Sequence, residues 1–339
     1  MRLSDLDYEL PGELIAQHPL ERRTQARLLM VERRGGAIAH SRFYKLPREL
    51  RDGDLLVLND TRVIPARVIT RKESGGVVEL LLVRPADESR RQWHTLVRAH
   101  RPLRVGTLLL VDDVGRLTVV AQCGPGRVLL ESADSTSIDE ILAQAGRLAL
   151  PHYIHRAATA ADSTEYQTVY AAKPGAIAAP TAGIHFTPEL LNELDEAGIR
   201  ATFITLHIGP GTFTPLRAQE VEHHSMEAEW YTMPESALRA IELTRRTGGR
   251  VVAVGTSTVR ALESHAITGD CEGLTGLFIF PGFRFKLVDA MLTNFHMPRS
   301  TVLALVMALG GRELILRAYA EAIRHRYRFL SYGDAMLIL

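Results

Sequence analysis

Between Leu55 and Glu131 the chain is cut into short apolar runs, LLVL, VVELLLVR, WHTLVRA, TLLLV, RLTVVAQ and RVLLE. Turn signals separate them, among them Ser74-Gly75-Gly76, Val105-Gly106, Asp112-Asp113 and Gly124-Pro125-Gly126. Runs this short, regularly spaced and punctuated by glycine and proline, predict antiparallel strands rather than helices. A set of such strands exposes unpaired edges unless it closes on itself, so the region is expected to form a small antiparallel barrel.

Beyond the barrel the apolar period changes. IDEILAQAG carries helical spacing, TPELLNELDEAG places Pro188 at a first helical position with Gly198 at its end, and PESALRAIELTRRTG does the same with Pro234 and Gly248. IRATFITLHI, RVVAVG and LTGLFIF read as buried strands, and the segment 301–330 reads as two helices broken at Gly310-Gly311. Helices alternating with buried strands predict a largely parallel sheet flanked by helices. The segment ending at VLNDTRVIPAR differs in texture from the barrel that follows. The expected fold is therefore a mixed α/β domain (residues 1–62 and 151–339) with a second, smaller antiparallel β-barrel domain (residues 63–150) inserted in it.

The 339 residues can bury more than one core, and 46% hydrophobic with 23% charged is an ordinary globular balance. The first residues carry acids among the apolar ones and lack an apolar run of signal-peptide or membrane-span length, so no membrane association is expected. Cys123 and Cys271 stand alone, as small core or strand residues of a reduced, cytoplasmic protein, and too few to hold a thiolate iron–sulfur cluster. The net charge of +1 announces no nucleic-acid partner, so any such contact must be local. RRQWHTLVRAHRPLR, with Arg90, Arg91, Arg98, Arg101 and Arg104 around Trp93, is one candidate and RHRYR at 324–328 another; taken alone, such a run is more often a solvated face than a binding site.

Several strand ends lead directly into dense polar residues, where α/β enzymes keep their sites. LNDTRVIPAR offers Asn59, Asp60, Thr61 and Arg62; PGAIAAPTAGIHFTPE offers Thr181, Gly183 and His185. TLHIGPGTF brings His207, Gly209 and Gly211 but lacks the lysine of a nucleotide-triphosphate loop. EVEHHSMEAEWY groups Glu222, His223, His224, Glu227 and Glu229 without metal-protease spacing, which favours an acid–base cluster over a metal. VGTSTVRALES contributes Thr256 and Arg260, and TNFHMPRST contributes Asn294 and His296. Neither a dinucleotide fingerprint nor a methyltransferase glycine loop is present. By residues alone, a methyltransferase and an RNA-binding module remain the rivals of an unusual enzyme.

In this order, DYELP, LNDTRVIPAR, PGAIAAPTAGIHF, TLHIGPGTF, VGTSTVRALES, FIFPGF, TNFHMPRST and SYGDAMLI resemble the S-adenosylmethionine:tRNA ribosyltransferase-isomerase family of queuosine biosynthesis along essentially the whole chain. The resemblance implies an α/β domain with a small barrel. It also implies a reaction in which S-adenosyl-L-methionine donates its ribosyl skeleton to 7-aminomethyl-7-deazaguanine at the tRNA wobble position, giving epoxyqueuosine and releasing adenine and methionine. No metal is implied, and the enzyme is expected to act as a cytoplasmic monomer.

Such chemistry asks for a base beside the sulfonium-activated ribose carbon and an acid for departing adenine. The expected catalytic residues are His185, His207, His224 and Glu229. Asn59, Thr61, Arg62, Thr181, Gly183, Gly209, Gly211, Thr256, Arg260, Asn294 and His296 are expected at the S-adenosylmethionine, with Arg260 and Asn294 positioning. Trp93, Arg98, Arg101 and Arg104 are expected at the tRNA, by stacking and phosphate contacts. The chain departs from the family pattern after Met226, where Glu227 stands in place of a histidine, and VGTSTVR swaps the usual order of hydroxyl residues.

Overall fold

The computed structural model describes residues 1–213, 216 and 220–339. In chain order its strands are β1 (Arg27–Val31), β2 (Ile38–Arg42), β3 (Leu55–Asn59) and β4 (Thr61–Val63), then β5 (Arg67–Lys72), β6 (Val77–Pro85), β7 (Gln92–Ala99), β8 (Leu108–Val111), β9 (Gly115–Gly124) and β10 (Arg127–Ser132). There follow β11 (Lys173–Ala176), β12 (Arg200–Leu206), β13 (Glu229–Thr232), β14 (Val251–Val254), β15 (Glu272–Thr275), β16 (Ala290–Asn294) and β17 (Ala335–Ile338). A nine-stranded sheet takes the order β15-β13-β12-β3-β14-β16-β17-β1-β2, β5 to β10 close into a barrel, and β4 pairs with β11.

The centre of the large sheet is the parallel block β12, β3, β14 and β16. β17 also runs parallel to β1. Its other pairings, β15 with β13, β13 with β12, β16 with β17 and β1 with β2, are antiparallel, so the sheet is half antiparallel rather than largely parallel. Two of these pairings have a local cause: β1 with β2 and β12 with β13 are consecutive in the chain, joined without the crossover helix that parallel pairs require.

β3 also corrects the first reading of the short strands. LLVL belongs to the middle of the large sheet, and the barrel's own first strand is β5. Every residue of β3 is buried, Leu55 and Val57 on one face and Leu56 and Leu58 on the other. The barrel strands alternate buried with partly exposed residues instead, as in β6, β8 and β10. A continuous apolar run fits a strand covered on both faces, and alternation fits one with a single inner face. Gly276 to Phe280, expected as strand, has no regular structure after β15.

One face of the sheet is covered by the helices Glu235–Arg246, Thr256–Thr268, Thr301–Gly310 and Arg312–Arg324, the last two separated at Gly311 as expected. Helix Pro188–Glu196 and the Phe43–Leu50 segment cover the other. Thr187 caps the former, its hydroxyl accepting from the Leu190 amide, while Pro188 occupies a position whose N–H would be unpaired anyway. The barrel is plugged by Ile138, Ile141 and Leu142 of helix Ile138–Ala145, which starts in a reciprocal Ser137–Glu140 cap. The chain enters and leaves the barrel at one neck, where Arg67 and Arg147 exchange backbone hydrogen bonds of 3.0 and 2.8 Å.

Trp93, expected on the surface as a stacking platform, lies inside the barrel core, 1% exposed, with its indole N–H donating to the Arg90 carbonyl. Period two explains the correction: Trp93, Thr95 and Val97 share a side of β7, whereas Arg98 points outward. Arg98, Arg101 and Arg104 are exposed, but Arg90 is held by Asp139 and Arg91 by the carbonyls of Ser132 and Asp134. Cys123 is a strand residue, yet both cysteines are exposed rather than in a core. Among the described residues no helix is long and apolar enough to cross a membrane.

Emptying the barrel core by Trp93→Ala is expected to cost about 3–5 kcal/mol, whereas Trp93→Phe costs clearly less. Denaturant titration checks this, and a Trp93→Ala chain as stable as the parent would contradict the buried placement.

Candidate active site

The four central parallel strands run the same way, so their carboxyl ends line one edge of the sheet. Asn59, the last residue of β3, is fully buried there. Its amide group donates to the Leu206 carbonyl (3.0 Å) and the Ser257 hydroxyl (3.1 Å), and its oxygen accepts from the amides of Leu206 (3.0 Å) and Thr61 (3.1 Å). Both donors and both lone pairs are thus engaged within the protein. Asn59 shapes the edge by tying β3, β12 and the start of helix Thr256–Thr268 together.

Above that edge opens a cleft lined by Thr181, Glu229, Thr256, Arg260, Asn294 and His296. Glu229 and Arg260 form a buried ion pair, each about 5% exposed. The remaining Arg260 nitrogens donate to the carbonyls of Leu277 (3.0 Å) and Thr275 (3.1 Å), and Glu229 Oε1 accepts from the Gly209 amide (2.7 Å). A buried pair is tolerated when its spare donors and lone pairs are satisfied in this way. Asn294 accepts from Thr181 Oγ1 (3.0 Å) and reaches toward His185 Nε2 (3.4 Å) and the Leu330 carbonyl (3.3 Å). His296 Nε2 meets Thr293 Oγ1 at 2.8 Å.

His185 lies behind Asn294, buried against the Phe43 ring at 4.9 Å. His207 is stacked on Trp230 at 5.0 Å, with Nδ1 2.8 Å from Thr61 Oγ1. Its ring lies so close to Gly175, at φ +153°, that a β-carbon there would come within 2.6 Å of Nε2. Burial pushes the pKa of His185, His207 and His296 down to about 4, so all three are neutral at physiological pH. His224 is lowered too, by partial burial, and sits edge-on to Phe278 at 5.2 Å, outside the cleft lining. Asp60, beside Thr205 at 2.6 Å, is raised by burial.

Other residues named from the sequence act at one remove. The Arg62 guanidinium holds the Ala171 carbonyl. Gly183 packs under the Tyr170 hydroxyl, leaving no room for a side chain. Gly209 reaches the cleft only through Glu229, and Gly211 lies against the Glu227 side chain. Glu227, where a histidine was expected, pairs with Arg127 of β10 and so joins the barrel to the loop before β13. The exposed Arg98 lies on β7, the strand that pairs with β10.

The sequence reading missed Tyr153, Tyr166 and Phe278, which also line the cleft. Tyr153 meets Ser331 Oγ at 2.7 Å, and Ser331 opens the SYGDAMLI stretch. The tyrosines lie in a segment of mixed composition with no periodicity, where nothing local marks them as converging. Tyr332 and Arg156 both bond Asp162, whose carboxyl is held well below the usual range chiefly by that guanidinium; this brings 150–166 against the end of the chain. The basic run at 324–328 is largely engaged: Arg324 with Glu321, Arg328 with the His18 carbonyl.

The three neutral histidines have a sign-defined consequence. Unfolded, each takes up a proton near pH 6.5, whereas folded it does so only near 4. Between those limits the unfolded chain binds more protons, so their contribution to stability is fully present above about pH 6.5 and is lost as pH falls toward 4. Each contributes a slope of up to about 1.4 kcal/mol per pH unit. Chemical denaturation at pH 7 and pH 5 should show the loss, with a shallower slope in His185→Gln. An unchanged slope in that variant would sink the linkage.

A mixed α/β sheet whose strand ends hold a buried ion pair and neutral imidazoles over a cleft, with a barrel attached, defines an α/β enzyme with an accessory domain. The chain belongs to the queuosine biosynthesis protein family, whose model matches residues 3–338. It is 50% identical to a protein of Rubrobacter xylanophilus, covering 100% of this chain and 98% of that one. It is 47% identical to one of Geobacter metallireducens, covering 100% of both. Both relatives are named S-adenosylmethionine:tRNA ribosyltransferase-isomerase. The crystal structure of the S-adenosylmethionine tRNA ribosyltransferase of Thermotoga maritima is similar over 99% of this chain and 100% of that one, with a TM-score of 0.58 and 37% identity.

Proposed function

We propose that this chain transfers and isomerises the ribosyl moiety of S-adenosyl-L-methionine onto 7-aminomethyl-7-deazaguanine in the wobble position of tRNA, giving epoxyqueuosine-tRNA with release of adenine and methionine. The observation that carries the reading is full-length similarity to enzymes of that name, together with a cleft where six of the residues expected at the chemistry converge. In this reading residues 1–62 and 151–339 form the catalytic domain and residues 63–150 the inserted barrel. The enzyme works as a cytoplasmic monomer, where its tRNA substrate is.

Glu229 faces the cleft and is our choice for a proton-transfer group. Arg260 holds its carboxylate in place, and the buried setting strengthens its interaction with a positively charged sulfonium. Asn294 and Thr181 position the substrate, with His185 supporting Asn294 from behind. His207, bonded to Thr61 and stacked on Trp230 next to Glu229, completes the acid–base set, neutral and able to accept a proton. His224 stands nearer the rim, beside Phe278.

Purified protein given S-adenosylmethionine and aminomethyl-deazaguanine tRNA should release adenine and methionine together. S-adenosylhomocysteine would mean methyl transfer, and no consumption of the sulfonium compound a binding module. Glu229→Gln should lower kcat by about 100-fold or more. If His185→Gln and His207→Gln both kept near-normal turnover, the histidines would have no place in the proton transfers.

For the tRNA, Arg98, Arg101 and Arg104 are proposed to hold phosphates, with Trp93 acting only by keeping their strand in shape. Arg98→Ala with Arg101→Ala should weaken binding and reduce the slope of log K against log salt by about 0.7–0.9 per lost contact. An unchanged slope would remove the barrel arginines from the interface.

A further inference from the structure

Away from the cleft, His40 of the edge strand β2 meets Glu321, in the last turn of helix Arg312–Arg324, and His325, at its C-cap. We propose that these three side chains form a binding site for a divalent transition-metal ion of zinc type, separate from the transferase chemistry. Glu321 and His325 are four residues apart, so they share one face of the helix. His40 Nε2 lies 3.2 Å and His325 Nδ1 3.0 Å from Glu321 Oε1, and all three donor atoms lie within 4.8 Å of one another. A tetrahedral ion with bonds of about 2.0–2.1 Å holds its ligand atoms roughly 3.3 Å apart, a spacing that the two histidine–glutamate separations already match. Two imidazoles and a carboxylate are a zinc-type donor set; calcium and magnesium prefer oxygen alone.

The surroundings favour the same reading. His40 Nδ1 lies 2.8 Å from the Tyr327 hydroxyl. With its proton on Nδ1 donated to that oxygen, the ring leaves the Nε2 lone pair free for a metal, as outer partners of ligating histidines do. Arg324 donates to Glu321 Oε2 at 2.8 and 3.1 Å and to Oε1 at 2.8 Å, so an ion taking Oε1 would displace that one contact while Oε2 keeps the guanidinium and orients the carboxylate. His325 Nδ1, in contact with the Glu321 carbonyl at 3.1 Å, is freed for the ion when the neutral ring carries its single proton on the solvent-facing Nε2, a change of tautomer with no net loss of a proton. His40 and His325 are open to solvent, so an ion can enter, and a fourth position remains for water. The bound ion would clamp β2, which among the described residues pairs with β1 alone, to the helix that covers β1.

The test uses full-length, tag-free protein, stripped with chelator and dialysed against micromolar zinc. We expect about one ion per chain, a rise in Tm with zinc but not with magnesium, and loss of both in His40→Gln and in His325→Gln. His223→Ala, at an exposed histidine elsewhere, should keep both. Because the two glutamine variants change exposed side chains, circular dichroism should show them folded; His40→Asn serves as a second probe if His40→Gln is not. No stoichiometric zinc in the parent, or equal binding in the histidine variants, would overturn the site.

Discussion

The arrangement depends on one buried amide. Asn59 ends the central strand, and its four hydrogen bonds hold the neighbouring strand end at Leu206, the turn at Thr61 and the helix start at Ser257 in one frame. Each bond contributes only about 1 kcal/mol net, but a donor or acceptor left unpaired at this depth would cost about 1–3 kcal/mol. That asymmetry makes the geometry of the edge nearly all-or-none. His207 follows Leu206 directly and Arg260 lies one helical turn beyond Thr256, so a shift at Asn59 would move both sides of the cleft.

Around that frame, charge and neutrality are separated. One carboxylate and one guanidinium are buried as a pair with their remaining polar atoms satisfied, while the histidines nearby are kept uncharged by burial. A site built this way keeps its buried charge compensated and its imidazoles uncharged. The barrel is not a remote appendage: Arg127 meets Glu227, two residues before Glu229, so a load on the barrel is felt at the loop that leads to the ion pair.

Much of this was readable before any coordinates. The barrel follows from short, punctuated, alternating runs, and the helix ends follow from Thr187, Pro188 and the Gly310-Gly311 break, because these signals are local. Thr181, Glu229, Thr256, Arg260, Asn294 and His296 were named from polar residues at strand ends and do share one cleft. The misreadings share a cause. Proximity in sequence groups LLVL with the barrel although its unbroken apolar character marks a strand buried on both faces, and the arginine neighbours of Trp93 suggest a surface position that its parity along β7 contradicts.

By itself the sequence marked most of the barrel strands, several helix ends, the polar strand ends and the family, since periodicity, capping and an ordered set of motifs are properties of neighbouring residues. Only the tertiary structure decided which residues meet. It turned Trp93 inward, saturated Asn59, set His185 behind Asn294, and brought Tyr153 and Tyr166 to the cleft and His40 to Glu321 and His325. Contacts across more than a hundred residues are set by how sheets and helices stack and by which polar atoms must find partners when water is removed, and no local pattern encodes that.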